Sequence, residues 1–234
     1  MKFIIDEKIF DNFPNTIIGV VAAKGIDNLG ANDEIQKLIA GEQTRIRSNF
    51  DSETLSQEPK INCWRKAYSE FGCKPKEAKS SVENLYKLVA RGIDLRKINK
   101  LVDIYNFICL KHMFPVGGED IDAMRGDLQL TFAFDNEQPV QLLGDDAPEI
   151  PPVGEVLYRD DEGIICRRWN WREADRTKLA ENTKNAVLVV ESVPPGTEEE
   201  IKTAIEELAE LIKKYCGGES KVHILTENNN EVEL

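Results

Sequence analysis

A nearly unbroken apolar and β-branched run occupies residues 186–193, Ala186-Val187-Leu188-Val189-Val190-Glu191-Ser192-Val193. A run of this kind is typical of a central, buried strand. A Pro194-Pro195-Gly196 turn follows the run. Thr197 and Glu200 then form a capping box, which predicts a helix over residues 198–215 that ends at Gly217-Gly218. We therefore expect a buried strand joined by a short turn to a long helix.

The remaining segments divide the chain into a helical part and a strand-rich part. Periodicity and caps predict helices over residues 33–48, over a short segment from Asn62 to Gly72, over 81–92 behind a Ser80–Glu83 capping box, and over 100–113. Strands are predicted over residues 3–10, 16–23, 128–134, 164–171 and 222–226. Since helices group in the first half and at the end, with strands between, the pattern indicates an α+β fold rather than βαβ alternation.

Composition excludes several classes of protein. The 234 residues are 41% hydrophobic and 31% charged, which is too apolar for disorder and too charged for a membrane protein. No signal peptide and no apolar stretch near the roughly 18 residues of a membrane span are visible, so we expect a cytoplasmic protein without a membrane partner. Five cysteines without a CxxC pair, and two distant histidines, favour reduced thiols over a zinc site.

The net charge of −12 argues against nonspecific binding to nucleic acid, but the charge is unevenly spread. Residues 60–111 carry +7, residues 117–162 carry −11 and residues 166–178 carry +3. One interpretation is a set of solvated faces whose charges pair in space. The other is a local phosphate-binding surface on an acidic body.

A first candidate site follows from residues 101–122. Asp103 and Asn106 are three apart on a predicted helix and share a face. The Gly117-Gly118 pair lets backbone N–H groups approach a ligand closely. Three carboxylates come next along the chain: Glu119, Asp120 and Asp122. A helix, a turn and a solvated acidic loop explain the same residues without a ligand.

A second candidate site lies in residues 166–177. If this segment is a strand, Trp169 and Trp171 share one face and Arg168, Asn170 and Arg172 the other. Aromatic and Arg side chains commonly stack on bases and hold phosphates. A core face behind a salt-bridged face is the alternative. The sequence has no P-loop, GxGxxG, GxSxG or HExxH motif, and two scattered histidines make a His-based triad improbable.

Several stretches together resemble the freestanding B3/B4 domain proteins, which are similar to the editing domain of the bacterial phenylalanyl-tRNA synthetase beta chain. They are Trp64–Tyr68, Phe71-Gly72, Ser80–Leu85, Leu101–Asn106, Pro115–Asp120, Arg167–Arg172 and Ala186–Glu191. The resemblance implies one domain over residues 15–216, preceded by an N-terminal strand or extension (1–14) and followed by a C-terminal strand and polar tail (217–234). It also implies a three-layer fold with a β-sandwich core and flanking helices.

The resemblance further implies a pocket for the 3′ end of an aminoacyl-tRNA, where the ester of a mischarged tRNA is hydrolysed in trans. Asn106 matches the asparagine of the synthetase motif, Tyr105 replaces its small hydroxylated residue, and Gly117 replaces its histidine. Glu173 is the nearest candidate for its editing glutamate. The expected catalytic residues are Asn106, Glu119 and Glu173; the expected substrate-binding residues are Asp103, Tyr105, Gly117, Gly118, Asp120, Trp169, Asn170 and Trp171.

Arg168, Arg172 and Arg176 are expected near the phosphates of the tRNA, which should bind weakly and in a salt-sensitive way. No cofactor, metal or DNA partner is expected. Loss of the histidine at Gly117 favours an alternative, a noncatalytic module that binds an amino acid or an aminoacyl-tRNA 3′ end. A third hypothesis is a magnesium-dependent small-molecule enzyme that uses Glu119, Asp120 and Asp122.

Overall fold

Two β-sheets and a layer of helices build the molecule, and the computed structural model describes residues 1–74 and 76–234. The helices are α1 (Glu7–Asn12), α2 (Asp33–Asn49), α3 (Pro59–Glu70), α4 (Ser81–Ala90), α5 (Lys100–His112) and α6 (Glu198–Cys216). The strands are β1 (Lys2–Ile5), β2 (Ile17–Lys24), β3 (Val116–Asp120), β4 (Leu128–Phe132), β5 (Val156–Arg159), β6 (Ile164–Arg167), β7 (Arg172–Glu173), β8 (Asn185–Ser192), β9 (Glu219–Leu225) and β10 (Glu231–Glu233). The α+β class and the three-layer arrangement are confirmed.

The smaller sheet has the strand order β3-β8-β2-β9, and all its pairs are antiparallel. β8 lies between β3 and β2, so that Val189 pairs with Gly117 on one side and with Val20 on the other. Seven of its eight residues are buried. The apolar run over residues 186–193 therefore forms an interior strand, as predicted.

α6 covers the outer face of the smaller sheet. A side chain at Gly19 would lie 3.0 Å from Ile201 and from Ile205, so the glycine lets the helix approach the strand closely. The Thr197 hydroxyl accepts from the Glu200 N–H and the Glu200 carboxylate accepts from the Thr197 N–H, which confirms the predicted capping box. α5 packs between α6 and α2, which completes the helical layer.

The larger sheet has the order β10-β1-β4-β5-β6-β7. β1 pairs in parallel with β4 and antiparallel with β10, so both ends of the chain lie in this sheet. The strand predicted over residues 3–10 is wrong beyond Ile5. Asp6 accepts a hydrogen bond from the Lys8 N–H and starts α1, because a carboxylate there satisfies a free helical donor.

One predicted helix start and one predicted capping box need correction. α3 begins at Pro59, a good first helical residue, and not after Asn62, whose side chain bonds the Ser56 carbonyl from inside the helix. At α4 the Ser80 side chain does accept from the Glu83 N–H. The Glu83 carboxylate, however, binds the Arg65 guanidinium through two hydrogen bonds of 3.0 and 3.1 Å, so only half of the predicted capping box forms.

The strand predicted over residues 164–171 is also wrong beyond Arg167. Arg168 and Trp169 have φ of 49° and 65°, and this left-handed turn reverses the chain into β7. Across β5, β6 and β7 the register aligns Tyr158, Cys166 and Glu173, which therefore share the inner face of the sheet. The turn thus places Glu173 between the two sheets.

Candidate functional site

A cavity of about 320 Å³ lies between the two sheets, at the edges formed by β3 and β7, with α4 and α5 beside it. Its walls are mainly apolar, and polar groups converge on it from β3, β7, β8 and α5. The described residues that carry the argument are Tyr105, Asn106, Gly117, Gly118, Glu119, Trp171, Glu173 and Glu191.

The β3 wall is formed by Gly117, Gly118 and Glu119. A Cβ at Gly117 would lie 3.5 Å from the Glu173 Oε1, so the missing side chain leaves the carboxyl group room. The Asp120 N–H donates to the Thr177 carbonyl, outside the pairing with β8. By strand alternation the Gly118 N–H points the same way. Its hydrogen bond to the Glu173 carboxylate partly offsets the rise in the pKa of Glu173 that burial causes.

Glu119, which is buried, and Glu173, which is partly buried, form a pair of carboxyl groups that face each other from the two sheets. Glu119 is 7% exposed, and its Oε2 has no hydrogen-bond partner among the described residues. Burial, followed by the neighbouring Glu173, raises the pKa of Glu119 well above its usual range. Burial raises the pKa of Glu173 to about 7. The pair therefore holds a proton near neutral pH.

The cations around this pair are all engaged elsewhere. Arg172 binds Asp145 through two hydrogen bonds of 2.7 Å, and it is the one cationic side chain among the described residues that line the cavity. The Arg176 Nη1 lies 3.0 Å from an Asp160 oxygen. The Lys178 ammonium, next to β3, donates to Asp175 at 2.6 Å. The expected phosphate-binding residues Arg172 and Arg176 thus already hold carboxylates.

Glu191 of β8 is a third buried carboxyl group in the cavity, and the sequence analysis did not select it. It accepts hydrogen bonds from the Tyr158 hydroxyl, from the Trp169 Nε1 at 2.9 Å and from the Asn170 amide at 2.9 Å. Burial raises its pKa to about 7. The sequence feature that could have revealed Glu191 is its position as a lone carboxylate near the end of an apolar, buried strand. A charge at such a position needs hydrogen-bond donors around it.

On α5, Asn106 and Tyr105 line the cavity, as the motif predicts. Asp103 lies outside the lining. It accepts hydrogen bonds from the Gln36 amide at 2.6 Å and from the Ile98 N–H at 3.1 Å, which tie α2 and the preceding loop to α5. In this structure Asp103 therefore joins helices and does not reach the cavity.

The two tryptophans of the second candidate site have different surroundings. Trp169 is fully buried and packs edge-on against Trp64 and Phe13, with ring centroids 5.1 and 5.0 Å apart. It also lines the cavity, where its Nε1 donates to Glu191. Trp171 is only partly buried, lines the cavity and lies under the Arg168 guanidinium at 4.2 Å.

Asp120 lies on the opposite face of β3 from Glu119 and outside the cavity lining. It accepts hydrogen bonds from the Thr183 hydroxyl at 2.6 Å and from the Asp122 N–H at 2.9 Å. The described residues contain no group of three or more acidic, His or Cys side chains that is arranged to hold a metal ion. The magnesium hypothesis requires Glu119, Asp120 and Asp122 to converge on one point, and they do not.

Comparison with known proteins identifies the family of the chain. The family model of the B3/4 domain matches residues 63–217. The phenylalanine–tRNA ligase beta subunit of Fusobacterium nucleatum is 33% identical over 76 residues, which are 32% of this chain and 9% of the ligase subunit. The chain belongs to the B3/4 domain family. It spans only a small part of the ligase subunit that it resembles.

Solved structures are similar as well. One of them is an N-terminal fragment of the phenylalanyl-tRNA synthetase beta subunit from Pyrococcus horikoshii, with a TM-score of 0.45 and 12% identity over 94% of this chain and 49% of that one. No described helix has both the length and the apolar character that a membrane span requires.

Proposed function

We propose that the protein hydrolyses the ester bond of mischarged aminoacyl-tRNA in trans, in the cytoplasm. The observation that carries the proposal is the Glu119–Glu173 pair beside Asn106 and the Gly117-Gly118 backbone, in a cavity of a B3/4 domain. Two carboxyl groups that share a proton near pH 7 suit general acid–base chemistry, which ester hydrolysis needs.

In the proposed reaction the aminoacyl group enters the cavity with its ester carbonyl near Asn106 and Gly118. Glu173, in its ionised form, takes a proton from a water molecule as the water oxygen attacks the carbonyl carbon. The Asn106 amide stabilises the negative oxygen that develops, while the Gly118 N–H keeps the Glu173 carboxylate in place. The bond to the ribose oxygen then breaks, and Glu173 returns the proton to that oxygen, which releases the free amino acid and intact tRNA.

The 3′ end would lie at the mouth of the cavity against Trp171, between Arg168 and Arg172. Arg168 and Arg172 both lie within 5.4 Å of the Trp171 ring centroid, so one aromatic face and two guanidinium groups are close together. Because Arg172 is bound to Asp145, phosphate has to compete with a carboxylate. Weak, salt-sensitive binding of tRNA is the expected consequence.

The test is a deacylation assay with a panel of mischarged tRNAs and three variants. Asn106→Ala and Glu173→Gln should each lower the rate by roughly 100-fold or more, since each removes a group that acts in the transition state. Glu181→Gln changes an exposed glutamate outside the cavity and should keep the wild-type rate. No deacylation of any pair by the wild-type protein, at concentrations at which known editing enzymes act, would refute the proposal.

A noncatalytic module for amino acids or aminoacyl-tRNA 3′ ends is the second candidate. The observation that favours it is Gly117, which supplies no side chain to the reaction at a position that points into the cavity. Calorimetric binding without turnover would support this candidate. Multiple turnovers of a mischarged tRNA would eliminate it.

A further inference from the structure

The cavity carries more negative than positive groups. Three carboxyl groups line it, and the guanidinium of Arg172 is already held by Asp145. Glu191 is satisfied by three neutral donors from the protein. Glu119 and Glu173 have no comparable set. The Gly118 N–H faces Glu173 and the Thr177 hydroxyl lies near Glu119, whose Oε2 forms no hydrogen bond within the described residues.

An unpaired buried carboxylate is costly unless it takes up a proton or meets a cation. The nearest protein cations cannot serve, since Arg176 and Lys178 are bound to Asp160 and Asp175. The space next to the pair is open, because Gly117 places no atoms between β3 and the Glu173 carboxyl group. A ligand can therefore supply the positive charge.

We propose that Glu119 and Glu173 together bind a primary ammonium group of the ligand. This inference rests on the proposed function for its choice of aminoacyl ligands, but the binding itself needs no hydrolysis. A primary ammonium has three donors and can reach both carboxyl groups at once. Two sources carry such a group: the α-amino group of every aminoacyl-tRNA and the side chain of a basic amino acid.

Four matched amides separate the two sources, and as amides they resist turnover by an esterase. Norleucinamide carries only the α-ammonium, Nα-acetyl-lysinamide only the side-chain ammonium, lysinamide both, and Nα-acetyl-norleucinamide neither. Calorimetry on the full chain should show binding of at least one ammonium compound roughly tenfold or more tighter than the neutral one. The compound that binds identifies the source of the ammonium.

Variants locate the binding group. Glu119→Gln should weaken binding of the ammonium compound by roughly tenfold or more, because it replaces a charged acceptor by a neutral one. Glu191→Gln is the matched control in the same cavity, and it should change binding by less than about threefold because that carboxyl group is already satisfied. Circular dichroism establishes that both variants fold.

Equal binding of the neutral amide, equal effects of the two variants, or no binding of any ammonium compound overturns the inference. These outcomes are distinct from failure of the proposed function. If the protein binds an amine but deacylates no aminoacyl-tRNA, the inference holds and the hydrolase proposal fails. If it deacylates aminoacyl-tRNA but does not distinguish the amides, the hydrolase proposal holds and the inference fails.

Discussion

The two faces of the β6–β7 hairpin differ in whether a carboxylate is paired with a cation of the protein. On the outer face, Arg167 and Glu155 are each only 2% exposed and form two hydrogen bonds of 2.9 and 2.8 Å; Arg167 also binds Glu149. On the inner face, one residue pair away, Glu173 meets another carboxyl group, Glu119, and no free cation. The same hairpin thus carries a complete ion pair and an incomplete one.

The difference separates structural charge from functional charge. Arg167 satisfies Glu155 within the protein, so nothing from outside is needed and the group holds the loop before β5 against the sheet. The Glu119–Glu173 pair is stable only with a proton or a bound cation. Buried charge without an internal partner is a physical mark of a binding or catalytic site.

The largest expected effect comes from breaking the complete pair. Arg167→Met removes two hydrogen bonds from the buried Glu155 carboxylate, which keeps only its contacts with Arg168, and should lower the free energy of unfolding by about 3–5 kcal/mol. Urea denaturation followed by circular dichroism measures it. A loss below about 1 kcal/mol would show that the outer pair is not structural.

A smaller and opposite effect is expected at the incomplete pair. Because the pKa of Glu173 is raised from 4.5 to about 7, the folded protein holds more protons than the unfolded chain between these values. The free energy of unfolding should therefore fall as pH rises from about 4.5 to about 7. Glu173→Gln removes this loss and should be more stable than wild type by about 3 kcal/mol at pH 8, with a gain below about 0.5 kcal/mol at pH 4.5.

Urea titrations of wild type and variant at both pH values test the sign. Glu181→Gln, an exposed glutamate, serves as the control and should not reproduce the pH-dependent gain. A gain of equal size at pH 4.5 and pH 8 would show that the ionisation of Glu173 does not cause it.

The third effect distinguishes the two glycines of β3. A Cβ at Gly118 would lie 2.9 Å from both the Leu188 Cγ and the Val187 carbonyl oxygen, so Gly118→Ala should cost about 1–3 kcal/mol through overpacking. Gly117→Ala meets only the Glu173 oxygen at 3.5 Å and should change stability by less than about 0.5 kcal/mol. Equal losses in urea denaturation would contradict the assigned faces of β3.

Much of the fold was predictable because its signals are local. The apolar run of β8, the Asn99 cap of α5 and the capping box of α6 each depend on residues within a few positions. The errors arise where a distant partner decides. The Glu83 carboxylate accepts hydrogen bonds from Arg65 and does not cap α4. The turn at Arg168 and Trp169 depends on contacts with Glu155, Trp64 and Phe13.

The site was predictable only in part, for a similar reason. Asn106, Gly117, Glu119 and Glu173 come from three elements, and all of them line the cavity as the motifs suggest. Asp103 and Asp120 have equally polar motifs, but neighbouring segments of the chain use them as hydrogen-bond acceptors. Glu191 was missed because its donors come from β5 and the 168–171 turn. Whether a polar residue faces a ligand or the protein depends on tertiary contacts that spacing does not encode.

The inner carboxyl pair serves function, and the outer ion pair serves structure. The most direct test measures Glu173→Gln and Arg167→Met side by side, in single-turnover deacylation and in urea denaturation. We predict that Glu173→Gln slows deacylation by roughly 100-fold or more without loss of stability at pH 8, while Arg167→Met loses stability and keeps its rate under conditions in which it is folded. Wild-type deacylation by Glu173→Gln, or a loss of stability in this variant comparable to that of Arg167→Met, would contradict the claim.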